Sequence, residues 1–531
     1  MAQRAVSMDE HALMTIPAIL ERVAREIPDA EAVVDGTVRL TYAGLRARVR
    51  VAARAFIAAG IGPGDRIAIW APNGVPWIVT ALGAACAGAV LVPVNTRYKG
   101  EEARWPLTRS GARMVFVEDG FLGKDYLGML GAGTEGAPEG VTAVTFGATA
   151  GPGATAWEDF LAAGAAVPEA EADAREAAVT ADDIADVLFT SGTTGRPKGV
   201  MCTHGQDVRT YLAWSGRTGI RRGDRYLIVN PMFHSFGYKA GVLACLLVGA
   251  TMVLQDVFEA AETARLIEAE RITVLPGPPT IYTSLLDAPR ERDLSSLRLA
   301  VTGASTVPVA LISRMRAELF PEVVTAYGLT ESCGTVTACS LGDDDTTVAT
   351  TCGRPIEGVE IVIAGPDGTP VEPGASGEVM VRGHNVMRGY LGDPEGTRET
   401  IRDGWLATGD LGRLDPAGNL IITGRSKDMF VVGGFNVYPA EVEQVLARHP
   451  AVSEAAVIGV PDERMGEVGR AYVRARPGTG PAAADLVAHC RDLLANFKVP
   501  REIVFVAELP RNAAGKVEKA RLPGSPLVSG R

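Results

Sequence analysis

Cysteine is scarce in this chain and never falls at metal-binding spacing. Seven thiols are scattered over 531 residues (Cys86, Cys202, Cys245, Cys333, Cys339, Cys352 and Cys490) with no CxxC pair. An odd, dispersed set supports neither a disulfide framework nor a zinc site; it fits small core residues in a reducing cytoplasm. Basic charge is short as well: 52 Lys and Arg stand against 63 Asp and Glu, a net charge of −11. That balance argues against a nucleic-acid partner and against attraction to anionic membranes. A phosphate ligand would have to be held by local dipoles and a few placed cations. Long apolar runs are nearly absent. One 18-residue stretch, "WIVTALGAACAGAVLVPV" (77–94), has Thr80 as its sole polar residue. It is rich in Ala and Gly and carries Pro93, so it reads as a buried helix running into a core strand and not as a membrane span. The opening 26 residues lack the apolar h-region of a signal peptide and read as an amphipathic helix, which makes a cytoplasmic protein the expectation.

What is present is an ordinary globular composition, 47% hydrophobic and 22% charged, over a length that predicts two to four domains. Short β-branched runs, "RIAIWA" (66–71), "AVLVPV" (89–94) and "RMVFVE" (113–118), alternate with helical patterns such as 41–60. A second series follows: "YLIVN" (226–230), "TMVLQ" (251–255), "ITVLPG" (272–277) and "LRLAVTG" (297–303). Strand–helix alternation of this kind builds parallel sheets covered by helices. From about residue 350 short strands with Gly/Asp/Pro turns predict antiparallel hairpins. Near Gly424 an α+β unit of roughly 100 residues begins. The expected fold is therefore α/β. A large N-terminal domain (1–424) would hold two helix-covered sheets and a small β-barrel-like subdomain, followed by a smaller, mobile α+β C-terminal domain (425–531). The Gly/Ala/Pro-rich stretch 131–153 reads as a loose surface excursion, and its "GAGTEG" as a chance match to a dinucleotide fingerprint, with no strand before it.

The densest chemical signal is "LFTSGTTGRPKGV" (188–200). Thr190, Ser191, Thr193 and Thr194 interleave with Gly192, Gly195 and Gly199, and Lys198 follows a proline. Glycines let backbone amides close around an anion, hydroxyls add donors, and the lysine adds a point charge. The stretch leaves the carboxyl end of a predicted strand, where open α/β sheets bind ligands. It is not a P-loop, since GxxxxGK[ST] is absent.

The whole set of motifs resembles the adenylate-forming superfamily, which holds acyl-CoA synthetases, firefly-type luciferases and peptide-synthetase adenylation domains. After the phosphate loop come, in the family's order, "PMFHSFG" (231–237), "VTGAS" (301–305), "AYGLTES" (326–332), "GEVMVRGHNVMRGY" (377–390), "GWLATGDLG" (404–412), "GRSKDMFVVGGFNVYPAEVE" (424–443) and "LPRNAAGKV" (509–517). The resemblance spans about residues 16 to 520.

It implies ATP, Mg²⁺ and coenzyme A as partners of a small-molecule carboxylic acid. The 190s loop, from Thr190 to Lys198, would grip the β- and γ-phosphates. Adenine would lie between Gly303, Ala304 and Ser305 on one side and Ala326, Tyr327 and Gly328 on the other. Thr330 would contact the α-phosphate, and Glu331, with Thr194, would associate with Mg²⁺. Asp410 and Arg425 would hold the ribose. Lys516 would bridge carboxylate and α-phosphate during adenylation. Lys427 matches the hinge about which the small domain turns, so that Gly433, Gly434 and Phe435 line the pantetheine channel for thioester formation.

His234 stands where amino-acid-activating relatives place an aspartate, which disfavours an α-amino acid, because an ammonium buried without a counter-charge is costly. By the resemblance His234 gates the acyl pocket; a structural histidine packed at the pocket wall is the alternative. The pocket itself would be built from His234, Phe236, Gly237, Tyr238, Gly241, Pro278 and Gly303, the small residues suggesting room for a bulky or alicyclic acid. "FHSFGYKAG" is similar to actinobacterial ligases that activate propanoate side chains of steroid-ring remnants; medium-chain fatty and aryl acids are alternatives. An acid–CoA ligase is the leading expectation. Runners-up are a stand-alone enzyme that loads a carrier protein or forms an amide, and a non-catalytic nucleotide-binding relative. Only 15 residues follow Lys516, too few for a carrier domain. Homodimer against monomer, and the direction of Lys239, stay open.

Overall fold

The computed structural model describes residues 14–131, 140–147, 150, 153–190, 197–288, 291–303, 307–425, 428–432, 435–462, 465–494, 496–512 and 516–525. The first strand series joins one sheet. Among the described residues it has eight strands, in the order Gly389–Tyr390, Lys198–Thr203, Ile184–Thr190, Val90–Pro93, Arg66–Trp70, Met114–Val117, Thr142–Thr145 and Ala154–Ala156. Only Lys198–Thr203 runs against the rest. Val90–Pro93 and Met114–Val117 are buried at every position, which is why they read as continuous apolar runs and not as alternating ones.

The 18-residue apolar run resolves into the helix Val75–Cys86, buried from Trp77 onward, and the strand Val90–Pro93. Gly83 sets the packing distance: a Cβ there would come within 2.7 Å of the Ala52 Cβ on the helix Tyr42–Ala58. Among the described residues no helix is long and apolar enough to cross a membrane. The stretch 131–153 needs correction. Its residues Thr142–Thr145 pair in parallel with Met114–Val117 and extend the sheet. Main-chain pairing at a sheet's flank demands little apolar content, so Gly/Ala composition hid the strand. Of the GxGxxG look-alike only Gly131 is among the described residues.

The second series forms a nine-stranded sheet among the described residues: Arg354–Pro355, Thr337–Ala338, Glu322–Tyr327, Leu299–Gly303, Val274–Pro276, Arg225–Ile228, Thr251–Leu254, Glu31–Asp35 and Val38–Thr41. Six of these, from Glu322–Tyr327 to Glu31–Asp35, are parallel. The early strand Glu31–Asp35 pairs with Thr251–Leu254, Val33 opposite Met252. Residues of both large sheets, such as Ile67, Phe116, Ile228 and Val253, share one apolar core.

Past residue 350 the expected hairpins appear. Val359–Ala364, Gly377–Gly383, Trp405–Leu414, Ile401–Arg402 and Leu420–Arg425 make an antiparallel five-stranded sheet. From Phe430 a fourth sheet begins. It packs the helices Pro439–Ala447 and Ala483–Leu493 around its own core of Val442, Leu446, Val457, Val473 and Leu486. Lys427, assigned to the hinge, lies outside the described residues.

Buried polarity ties the large sheets to their helices. His204 opens the helix His204–Thr218 at 1% exposure, and its Nδ1 accepts the Ile16 N–H at 3.4 Å. Desolvation pulls its pKa from 6.5 to about 4, against the opposing charges of Asp207 and Asp183. A lowered histidine pKa means the unfolded chain binds more protons between those two values. Stability is therefore complete above pH 6.5 and falls as pH drops towards 4, by about 3 kcal/mol for this group. Melting temperature followed from pH 7 to pH 4 should decline, and His204→Gln should flatten part of that decline. An unchanged slope would mean the ring is not the group that titrates.

Candidate active site

Five parallel strands deliver the quoted motifs at their carboxyl ends: Ile184–Thr190, Arg225–Ile228, Val274–Pro276, Leu299–Gly303 and Glu322–Tyr327. Side chains and amides beyond a strand's end are no longer engaged in the ladder, which leaves them for a ligand. Thr190 and Lys198 are opposed in antiparallel register. The hydroxyl–glycine stretch is thus followed by a returning strand and not by the helix a P-loop would have. Ser191, Gly192, Thr193, Thr194 and Gly195 lie outside the described residues.

Lys198 is held on its strand by two neighbours from 387–393. Its Nζ lies 3.2 Å from Asp393 Oδ2 and 4.6 Å from the centre of the Tyr390 ring. Tyr390 also donates its hydroxyl to Glu331 Oε1 at 2.9 Å. Desolvation, then the Glu331 charge, push the Tyr390 phenol upward, so it remains a donor at neutral pH. Glu331 sits in the single turn Thr330–Ser332, which opens with Thr330 and closes on Cys333 at φ +53°. The Met387 N–H donates to the Glu331 carbonyl at 2.9 Å and pins that turn to the same segment. Gly328 is required just before it: a Cβ would meet the Gly334 carbonyl oxygen at 2.2 Å.

The nucleoside side is equally assembled. Gly303 ends its strand in direct register with Ala326, one residue before the end of the adjacent parallel strand. Tyr327 donates to Asp410 Oδ2 at 2.7 Å, joining the nine-stranded sheet to the β-rich one. Burial first, then the Asp410 charge, hold the Tyr327 phenol well above its ordinary range. Asp410 is 5% exposed, and Arg425 stands opposite it in the ladder. Ala304 and Ser305 are outside the described residues.

On the acyl side, His234 caps the short helix Ser235–Gly237, its Nδ1 accepting the Phe236 N–H at 3.2 Å. The neutral ring's proton then belongs on Nε2. His234 is exposed to solvent, and desolvation by the surrounding atoms lowers its pKa. The chain continues as a π-helix, Tyr238–Leu243, a rare geometry that gathers at functional sites. Phe236 and Pro278 are partly buried. The smallness of the glycines is used for packing: a Gly237 Cβ would strike the Asn230 and Pro231 carbonyl oxygens, and Gly241 lies against Ile228. Tyr238 is 1% exposed and packs on Trp77.

Lys239 points inward. Its Nζ lies 2.7 Å from Asp207 Oδ1 and 3.0 Å from Asp186 Oδ1, all three side chains at most 1% exposed. Burial pulls the lysine down, and the two carboxylates more than reverse it. Burial, then Asp207, push Asp186 well above the carboxylate range. The ammonium and the two carboxyl groups thus form one buried cluster. Asp186 lies on the strand that leads to Thr190, so this triad fixes the π-helix to the strand Ile184–Thr190. Cys202 and Cys333 complete the cluster, with Sγ atoms 3.3 Å apart.

Lys516 is exposed on a hairpin of the C-terminal unit, where its N–H donates to Asn512 Oδ1 at 2.9 Å and Arg511 bridges Val517. Gly433 and Gly434 lie outside the described residues; Phe435 begins the strand Phe435–Val437. Sequence reasoning passed over Tyr390, Asp393 and the triad. Tyr390 stood inside a quoted motif with no chemistry attached to it. Asp186 and Lys239 each stood alone as a charge in an apolar run, which is the signal that would have found the triad.

The family model of the AMP-binding enzymes matches residues 20–391, and that of the AMP-binding enzyme C-terminal domain matches 441–516. A 3-[(3aS,4S,7aS)-7a-methyl-1,5-dioxo-octahydro-1H-inden-4-yl]propanoyl:CoA ligase of Mycobacterium tuberculosis is 53% identical, over 96% of this chain and 98% of that one. The enzyme of the same description from Rhodococcus jostii is 52% identical, over 95% and 97%. Among solved structures, the o-succinylbenzoate CoA synthetase from Bacillus subtilis in complex with its acyl-adenylate intermediate superposes with a TM-score of 0.80 at 30% identity, covering 95% of this chain and 97% of that one. Both family models, matched in order, and relatives 53% and 52% identical over nearly the whole chain place it in the AMP-binding enzyme family, as a member of the acyl-CoA synthetase branch of the adenylate-forming superfamily.

Proposed function

We propose that this acid–CoA ligase activates an alicyclic propanoic acid of the bicyclic methyl-dione type and passes the acyl group to coenzyme A. A carboxylate resists nucleophiles because its charge repels them and oxide is a poor leaving group. Attack of the carboxylate oxygen on the α-phosphorus of ATP forms a C–O–P anhydride and releases pyrophosphate. The coenzyme A sulfur then attacks the acyl carbon, AMP leaves with the C–O bond pair, and the thiol proton passes to solvent.

Negative charge is crowded at every stage, so positioned donors and cations carry the catalysis. Lys516 supplies the cation between carboxylate and α-phosphate, and Lys198 with the 190s loop holds the outer phosphates. Asp410 accepts the ribose hydroxyls, oriented by Tyr327. The neutral His234, its Nε2 bearing the proton, lines the acyl entrance. Magnesium fits the donors present. One Glu331 oxygen is tied to Tyr390, and among the described residues nothing is bonded to the other. A single carboxylate completed by phosphate oxygens and water is the set this ion prefers. When bound by Glu331 it would supply neutralisation of the departing pyrophosphate's charge.

The activity reading rests on the Tyr327–Asp410 and Tyr390–Glu331 pairs meeting at the carboxyl ends of the strands. The choice of acid rests on the likeness to the two propanoyl:CoA ligases over nearly the whole chain. Coenzyme A consumption should be measured over bicyclic alicyclic propanoates, medium-chain fatty acids and aryl acids. The bicyclic propanoates should lead in kcat/KM by about tenfold or more, the range that complementary pocket contacts provide. Equal or better rates with fatty or aryl acids would overturn the acid assignment. AMP formed without a thioester would overturn the acceptor.

A further inference from the structure

One aromatic side chain touches both charges assigned to the triphosphate, and nothing in the family motifs gives it that role. We propose that Tyr390 is a positioning residue for adenylation: its hydroxyl aims the Glu331 carboxylate at the metal-bearing phosphates, and its ring face holds the Lys198 ammonium beside them. The proposal rests on the reading of ATP at this site.

Three observations carry it. The contacts come from opposite parts of one ring, hydroxyl to Glu331 Oε1 at 2.9 Å and face to Lys198 Nζ at 4.6 Å. The ring is rigidly mounted: Tyr390 is 8% exposed, its N–H donates to Thr397 Oγ1 at 2.9 Å, and it pairs with Val200 on the strand that carries Lys198. Both client side chains are long and flexible. For Glu331, the phenol is the side-chain partner that the described residues provide. Lys198 has Asp393 at 3.2 Å as its second partner, at a site one-third exposed. An incoming triphosphate competes with Asp393 for the ammonium, and the uncharged ring does not. Tyr390 thus keeps a cation and a metal-binding carboxylate at fixed separation without adding charge of its own.

The two contacts separate by substitution in the full-length chain. Tyr390→Phe keeps the face and removes the hydroxyl; Tyr390→Leu removes both. Calorimetric binding of α,β-methylene ATP, which cannot be cleaved at the reacting bond, should be measured with and without MgCl2. In Tyr390→Phe the affinity without metal should match wild type, and the gain on adding Mg²⁺ should fall about tenfold, as for a lost hydrogen bond to a charged group. In Tyr390→Leu the metal-free affinity should fall a few-fold as well, through loss of the cation–π contact. Electron paramagnetic resonance of Mn²⁺ added with the nucleotide reads the same metal affinity directly.

A wild-type Mg²⁺ gain in Tyr390→Phe overturns the proposal, as does an equal loss with and without metal in that variant. If Tyr390→Leu does not fold, the double variant Tyr390→Phe/Glu331→Gln decides. Its Mg²⁺ gain should equal that of Glu331→Gln alone, and a further loss would mean the phenol acts elsewhere. A wild-type chain that binds no nucleotide overturns the reading of the site itself, and the proposal with it.

Discussion

Lys239→Met should destabilise the large unit by about 3–5 kcal/mol, because removing one member of a buried ion cluster strands the other charges in a low dielectric. The ammonium lies 2.7 Å from Asp207 and 3.0 Å from Asp186, and all three side chains are buried. Asp207, the nearer carboxyl group, loses its closest cation. The double variant Lys239→Met/Asp207→Asn removes the ammonium together with its nearer carboxyl group and should recover most of the loss. Residues in direct contact are expected to show such non-additivity. Urea unfolding followed by tryptophan fluorescence reads it, since Trp77 and Trp214 lie in the same core. If the single variant were as stable as wild type, the triad would not be the brace that fixes the π-helix to the strand Ile184–Thr190.

The second large effect concerns chemistry alone. Lys516→Ala should lower pyrophosphate exchange into ATP by about a thousandfold, the scale seen when a positioned transition-state cation or donor is removed. Thioester formation from supplied acyl-adenylate should stay within a few-fold of wild type. Lys516 is exposed at a hairpin of the C-terminal unit, so the substitution removes little buried surface and should change the melting temperature little. Equal loss in both half-reactions without unfolding would contradict the assignment of Lys516 to the first of them.

Much of the site was legible because its motifs sit where local sequence changes character. The runs 226–230, 272–277 and 297–303 are β-branched, and each breaks into Gly or Pro where the strand ends. Such breaks mark the carboxyl rim of a parallel sheet, and Gly303 ends one of these runs; Tyr327 and Glu331 rest on the resemblance of their motif. Long-range pairing leaves no such mark. Tyr390 meets a glutamate 59 residues earlier, and neither neighbourhood shows periodicity that anticipates the bond. Asp186 and Lys239 show the demand for a counter-charge without naming who meets it. Thr142–Thr145 was lost for a different reason, since its strand is specified by main-chain pairing more than by its side chains. The glycines at 237 and 241 were read as space because small residues leave room when nothing opposes them. Asn230, Pro231 and Ile228 oppose them here, a fact of packing and not of composition.

The parallel pairing of Glu31–Asp35 with Thr251–Leu254 has a bearing on how a ribosome makes this enzyme. The early strand emerges first and its neighbour some 200 residues later; at about 5–20 residues per second the delay is roughly 10–40 seconds. Throughout that interval Val33 and Val34 have only the adjacent strand Val38–Thr41 to pair with, and their other edge is open to another nascent chain. Holding factors that act during synthesis should therefore matter more for the yield of this protein than anything that acts after release.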